Sequence, residues 1–170
     1  LDVVGAAVYD GSTAAGDAIA MASRITGRRE LLVPRLMDPD RLAVMRNYAG
    51  GWLDVGYLEA DPATGTLDVT DLRAKVSDRT AAVYLENPTY LGTIETAAHE
   101  IGEIAHAAGA LLIANVNPAS LGVLAPPGRY GADIACGDGQ SLGLPLAGGA
   151  TRLGILACRN EQRFVHALQQ

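Results

Sequence analysis

Two runs, Thr80–Glu86 (TAAVYLE) and residues 110–116 (ALLIANV), are almost continuously apolar. They are short for a helix and lack the alternation of a strand with one wet face. Runs of this kind belong to inner strands of a parallel sheet covered on both sides. The stretch between them supplies a cover. Over residues 96–108, Ala97, Ile101, Ile104, Ala105 and Ala108 fall on one helical face, and His99, Glu103 and His106 on the opposite one. Gly109 then stops the helix. A strand, a crossover helix and a strand in that order predict an α/β fold of three layers with a mainly parallel sheet.

The rest of the chain repeats the alternation. An Ala-rich helix is expected over residues 13–26, with Ser12 or Thr13 as N-cap and Gly27 after its end. Glu30–Pro34 is a strand. Asp38 and Pro39 open the next helix, and residues 52–58 form a second strand. Asp68 caps a helix through Val76, with Asp71 in the capping-box position. The apolar runs 132–136 and 153–158 are further strands, and Asn160 caps a last helix over residues 161–168. That makes six strands, with the apolar segment Val3–Val8 leading into the first helix. One domain over residues 1–170 is expected. The chain opens without Met and stops abruptly, as a fragment of a longer protein would.

The composition narrows the function classes. Hydrophobic residues make up 49% and aromatics only 5%, so the core is aliphatic. No apolar run approaches the ~20 residues of a membrane span. The net charge of -6, with no basic cluster beyond Arg28 and Arg29, argues against a nucleic-acid partner. Cys136 and Cys158 lie in apolar runs and read as buried free thiols of a reducing, cytoplasmic compartment.

In such a sheet, chemistry gathers in loops at the carboxyl ends of strands. Four segments qualify. Tyr9, Asp10, Gly11, Ser12 and Thr13 precede a helix, where free N–H groups suit either an anion or plain capping. Asn87 and Pro88 open a loop that could equally be a simple turn. Asn117 begins a third loop, and Asp138, Gln140 and Ser141 sit in a glycine-rich fourth before the Gly148-Gly149 pair. No G-x-G-x-x-G follows a strand. His99, Glu103 and His106 have a spacing a metal could use, but the same spacing describes a solvated helix face, and no metal site is assigned. The sole lysine, Lys75, falls within a helix as a solvated charge.

Several of these motifs occur in a recognisable order: Y-D-G-S at 9–12, N-P at 87–88, N-P-A-S-L-G at 117–122, G-A-D-I at 131–134 and G-D-G-Q-S-L-G-L-P at 137–145. Together they resemble the glycine dehydrogenase (decarboxylating) family, the P-protein of the glycine cleavage system, with the fold-type I architecture of pyridoxal-phosphate enzymes. G-D-G-Q-S resembles the first of the two subunits into which some bacteria split this protein. The resemblance implies the large domain of that subunit without its C-terminal small domain. It implies a pyridoxal-phosphate-dependent decarboxylation of glycine, with the aminomethyl group passed to a lipoyl carrier, the H-protein. The family's large domain carries seven strands, one more than the pattern yields.

The resemblance also implies what this chain lacks. Gln140 and Ser141 fall where the catalytic subunit carries His and the cofactor-binding Lys. Asn117 stands where fold-type I enzymes place the acid that pairs with the pyridine nitrogen. No catalytic residue is therefore assigned, and residues 9–13, Asn87, Pro88, Asn117, Asp138, Gln140 and Ser141 are expected to be vestigial or to line a partner's site. The cofactor is expected on a homologous second subunit, in an α2β2-type complex. The competing expectation is a self-sufficient, aminotransferase-like pyridoxal-phosphate enzyme.

Overall fold

A computed structural model describes residues 1–146, 148 and 152–168. Their strands are β1 (Val3–Val8), β2 (Glu30–Pro34), β3 (Asp54–Leu58), β4 (Thr80–Glu86), β5 (Leu111–Asn115), β6 (Ile134–Asp138) and β7 (Gly154–Cys158). They form one sheet in the order β1-β7-β6-β5-β4-β2-β3. The pairs β2–β3, β2–β4, β4–β5 and β5–β6 are parallel, while β7 runs antiparallel to both neighbours. The seventh strand is β1, which the apolar count left out. Its six residues find their partner only at the far end of the chain, where Val3 pairs with Cys158. No local pattern announces a pairing across that separation.

Every residue of β4 and β5 is buried, as their unbroken apolar character requires. Two cores lie on opposite faces of the sheet. One is closed by α1 (Gly11–Thr26), α2 (Pro39–Ala49) and α5 (Gln162–Leu168), through Ala14, Ala18, Ile19, Met45 and Phe164. The other is closed by α3 (Val69–Lys75) and α4 (Ala98–Ala107), through Leu72, Ile101 and Ala105. The Ala-rich face of α1 allows close approach to the sheet. Gly16 brings α1 so near α2 that a Cβ there would lie 2.5 Å from Tyr48 Cγ.

Several local expectations shift. Helix α1 begins at Gly11, and its N-cap is Asp10 rather than Ser12 or Thr13, because the Asp10 carboxylate accepts from Thr13 N. Asp68 caps α3 as expected, but Asp71 does not complete a capping box. Its carboxylate accepts from Glu59 N and pairs with Lys75, while Asp68 N donates to the Glu59 carbonyl. Strand β6 continues two residues past Cys136, carrying Gly137 and Asp138 out to the strand's end. Gly149 lies outside the described residues.

Gly137 is a close-approach position. A Cβ there would strike the Val116 carbonyl oxygen across the β5–β6 boundary. Because the obstacle is backbone, it cannot rotate away. Gly137→Ala is expected to lower stability by about 3 kcal/mol, the upper end for overpacking. Gly122→Ala, with nothing within 4 Å of the added methyl group, should be near neutral. Urea midpoints of the two variants test this difference.

Candidate functional site

The chain leaves β2 towards β3 along one face and leaves β4 towards β5 along the other. The carboxyl ends of β2 and β4 therefore flank a switch point of the kind at which open α/β sheets bind ligands. A cleft of about 630 Å³ opens there. Its walls are Asp38 and Arg41 after β2, Glu86, Pro88, Thr89 and Tyr90 after β4, Asn115–Asn117 after β5, and Asp138, Gln140 and Ser141 after β6.

Three of the four expected segments thus meet in one concavity. The first joins it only at its edge. Gly11 N reaches Asp138 Oδ2 at 3.4 Å, whereas Tyr9 and Thr13 line a separate groove between β1, α1 and α5. Ser12 lies half-buried in the first turn of α1. Asn87 is buried and serves its own loop, accepting from Glu95 N at 3.2 Å, while Pro88 faces the cleft.

Ser141 Oγ donates to Asn117 Oδ1 at 2.8 Å, so these two positions touch directly. Asn117 Oδ1 also accepts from Ala119 N and caps a short 3-10 turn, Pro118–Gly122. Asp138 plays the same part for Gly139–Leu142, accepting from Gln140 N at 2.7 Å. Gln140 Nε2 in turn donates to the Leu144 carbonyl at 3.2 Å. These loops are held by their own side chains. A pair of residues that each cap a short turn explains why both are small polar types.

The inner wall carries residues that the sequence pattern did not single out. Arg41 Nη1 donates to Glu86 Oε1 at 2.5 Å, beneath a carboxylate only 4% exposed. With its amide oriented to satisfy its neighbours, Asn115 accepts from Arg41 Nη1 at 2.9 Å and donates to the Cys136 carbonyl at 3.2 Å. Burial raises the Glu86 carboxyl above its usual range, against the pull of Arg41. Burial acts to lower the Arg41 guanidinium, but its pairing with the Glu86 carboxylate prevails and raises it. Burial also pushes the Cys136 thiol up to about 12, which leaves it protonated and a poor nucleophile. The available signals for this wall were a charged residue at the end of an apolar strand, Glu86, and an Arg in the first turn of α2. Nothing local pairs them.

Other candidates lie elsewhere. Lys75 Nζ donates to Asp71 Oδ2 at 2.7 Å and to the Tyr57 carbonyl at 2.8 Å and does not line the cleft. His99 and His106 part company: the first approaches Glu103 at 3.9 Å, and the second sits 2.7 Å from Asp133, which also holds Arg159. Among the described residues no three His, Cys, Asp or Glu side chains gather as metal ligands, and no helix is long and apolar enough to cross a membrane.

Residues 1–167 match the family model described as "Glycine cleavage system P-protein". A relative from Aeropyrum pernix, named probable glycine dehydrogenase (decarboxylating) subunit 1, is 44% identical over 99% of this chain. Another of the same name, from Chlorobium phaeobacteroides, is 42% identical over 95% of it. The chain spans 37% and 36% of their respective lengths. Among solved structures, an inhibitor-bound glycine decarboxylase (P-protein) of the glycine cleavage system superposes with a TM-score of 0.87 at 40% identity, covering 97% of this chain and 36% of that one. An alanine–glyoxylate aminotransferase from Nostoc sp., at 19% identity, shares the fold with a TM-score of 0.69 over 99% of this chain and 42% of that one.

Proposed function

The chain belongs to the glycine cleavage system P-protein family, and from that premise we propose that it is the large domain of the first subunit of glycine dehydrogenase (decarboxylating). In this reading it is part of a longer chain that continues into a small C-terminal domain. It does not hold pyridoxal phosphate covalently. A homologous second subunit in an α2β2-type complex carries the cofactor and takes glycine, and the product aminomethyl group leaves on the lipoyl arm of the H-protein. The complex belongs in the cytoplasm.

The observation that carries this reading is the Ser141–Asn117 hydrogen bond in the lining of the cleft. A covalent cofactor site needs an amine there. The sole lysine of this sequence, Lys75 on α3, is committed to Asp71 and to the Tyr57 carbonyl on β3. That disfavours a self-sufficient aminotransferase-like enzyme. Exposed apolar side chains near the ends of the cleft loops, including Tyr90, Leu91, Val123 and Leu142, suit a face covered by further protein.

The test mixes the full-length subunit with the second subunit and lipoylated carrier and measures glycine-dependent exchange of carbon dioxide. The mixture is expected to catalyse exchange and the first subunit alone is not. Ser141→Ala should keep most of the activity. Robust exchange by the first subunit alone, or a cofactor adduct on Lys75, overturns the reading.

A further inference from the structure

Backbone N–H groups at the start of a long helix ordinarily attract an anion. In α1 they are answered from within the chain. Asp10 Oδ1 accepts from Thr13 N at 2.8 Å, and Asp138 Oδ2 reaches Gly11 N at 3.4 Å. Asp138 reaches across from the glycine-rich loop, and its second oxygen is fixed by Gln140 N at 2.7 Å. The approach is tight: a Cβ on Gly11 would lie 2.9 Å from Asp138 Cβ. Asp10 in turn pairs with Arg152 at 3.5 Å. A phosphate arriving here would meet the Asp138 carboxylate and the Asp10–Arg152 pair instead of free amides, and the charge on Asp138 repels it.

The remaining groups of the cleft are spent in the same way. Arg41, the one cation of the cleft wall among the described residues, is neutralised by Glu86. Asn117 and Ser141 are bonded to each other. By the resemblance these two positions would stand on either side of a cofactor ring, and here they are bonded to each other instead. The residues present do not fit pyridoxal phosphate: there is no amine, no acid for the ring nitrogen, and no open anion site.

We propose that this cleft is closed to pyridoxal phosphate and other phosphate monoesters by its own side chains, with Asp138 acting as an internal counter-anion at the start of α1. Exclusion is then built into the helix start as well as into positions 117 and 141, and restoring the latter two does not restore binding. This rests on the function proposed above only for which positions would face the ring. That function fails by exchange in the isolated subunit, a result independent of the measurements below.

The experiment uses the full-length subunit. Ser141→Lys with Asn117→Asp is incubated with pyridoxal phosphate and reduced with borohydride, and its peptides are weighed. No pyridoxyl group above the parent level is expected at residue 141, and no red-shifted aldimine absorbance. Asp138→Asn in the otherwise unaltered chain keeps an oxygen for the Gln140 amide but removes the charge. It is expected to bind inorganic phosphate, followed by equilibrium ultrafiltration, about tenfold more tightly than the parent, the scale of one full charge near a helix start. A stoichiometric adduct at residue 141 in the double variant overturns the proposal. So does phosphate binding left unchanged by Asp138→Asn, whose native melting transition is checked in parallel.

Discussion

Glu86→Gln is expected to cost about 3 kcal/mol in unfolding free energy, read from the urea midpoint of the full-length subunit. Glu86 sits at the last position of β4, with 4% of its side chain exposed, and Arg41 comes to it from α2 at 2.5 Å. The substitution keeps the shape and removes the charge, so the guanidinium in the cleft wall loses its nearer counter-ion and keeps only Asp38, at 4.0 Å. Breaking one side of a buried pair costs roughly 3–5 kcal/mol. The lower end applies because Arg41 is 17% exposed and can reach water through the cleft. A paired change, Glu86→Leu with Arg41→Met, should recover most of the loss, since removing both charges also removes both desolvation costs. If the single and paired changes cost the same, the energy lies in packing and the ion pair is incidental.

Phe164→Ala is expected to cost about 4 kcal/mol, within the range for truncating a buried Phe. Phe164 is the sole Phe in the chain and is fully buried. It anchors α5, a helix of seven residues, against the core that α1 closes. A helix that short has little stability of its own and depends on its apolar contact. One polar tie that remains, Arg24 Nη2 to the Ala167 carbonyl at 3.0 Å, is only partly buried. Amide exchange should therefore accelerate in α5 well before β4 and β5 are affected. Uniform acceleration throughout the sheet would show instead that α5 and the core unfold as one unit.

The two variants probe different levels of the chain. The burial of Phe164 follows from an apolar residue among polar ones on a short helix, which is visible in the sequence. The partnership of Arg41 and Glu86 joins positions forty-five residues apart and is visible only in the fold. The same division holds for the cleft. Asp138, Gln140 and Ser141 stood out because a polar, glycine-rich loop followed an apolar run. Arg41 did not, because an Arg in the first turn of a helix has the ordinary look of a solvated charge.

The sequence by itself determined the layers. Unbroken apolar runs such as TAAVYLE can be satisfied only under cover on both faces, and the helices between them supply it. It also determined which loops end at the carboxyl edge, because a parallel sheet connected by crossover helices points its strands one way. That position 141 is Ser and that the one lysine of this sequence is Lys75 was legible too. The tertiary structure alone decided the pairing of β1 with β7, the ion pair in the cleft wall, and the seating of Asp138 on the start of α1. Each is a contact between segments distant in sequence. Hydrogen bonds and charge pairs act over a few ångströms, and neither apolar periodicity nor capping preference carries information about which distant segments will come that close.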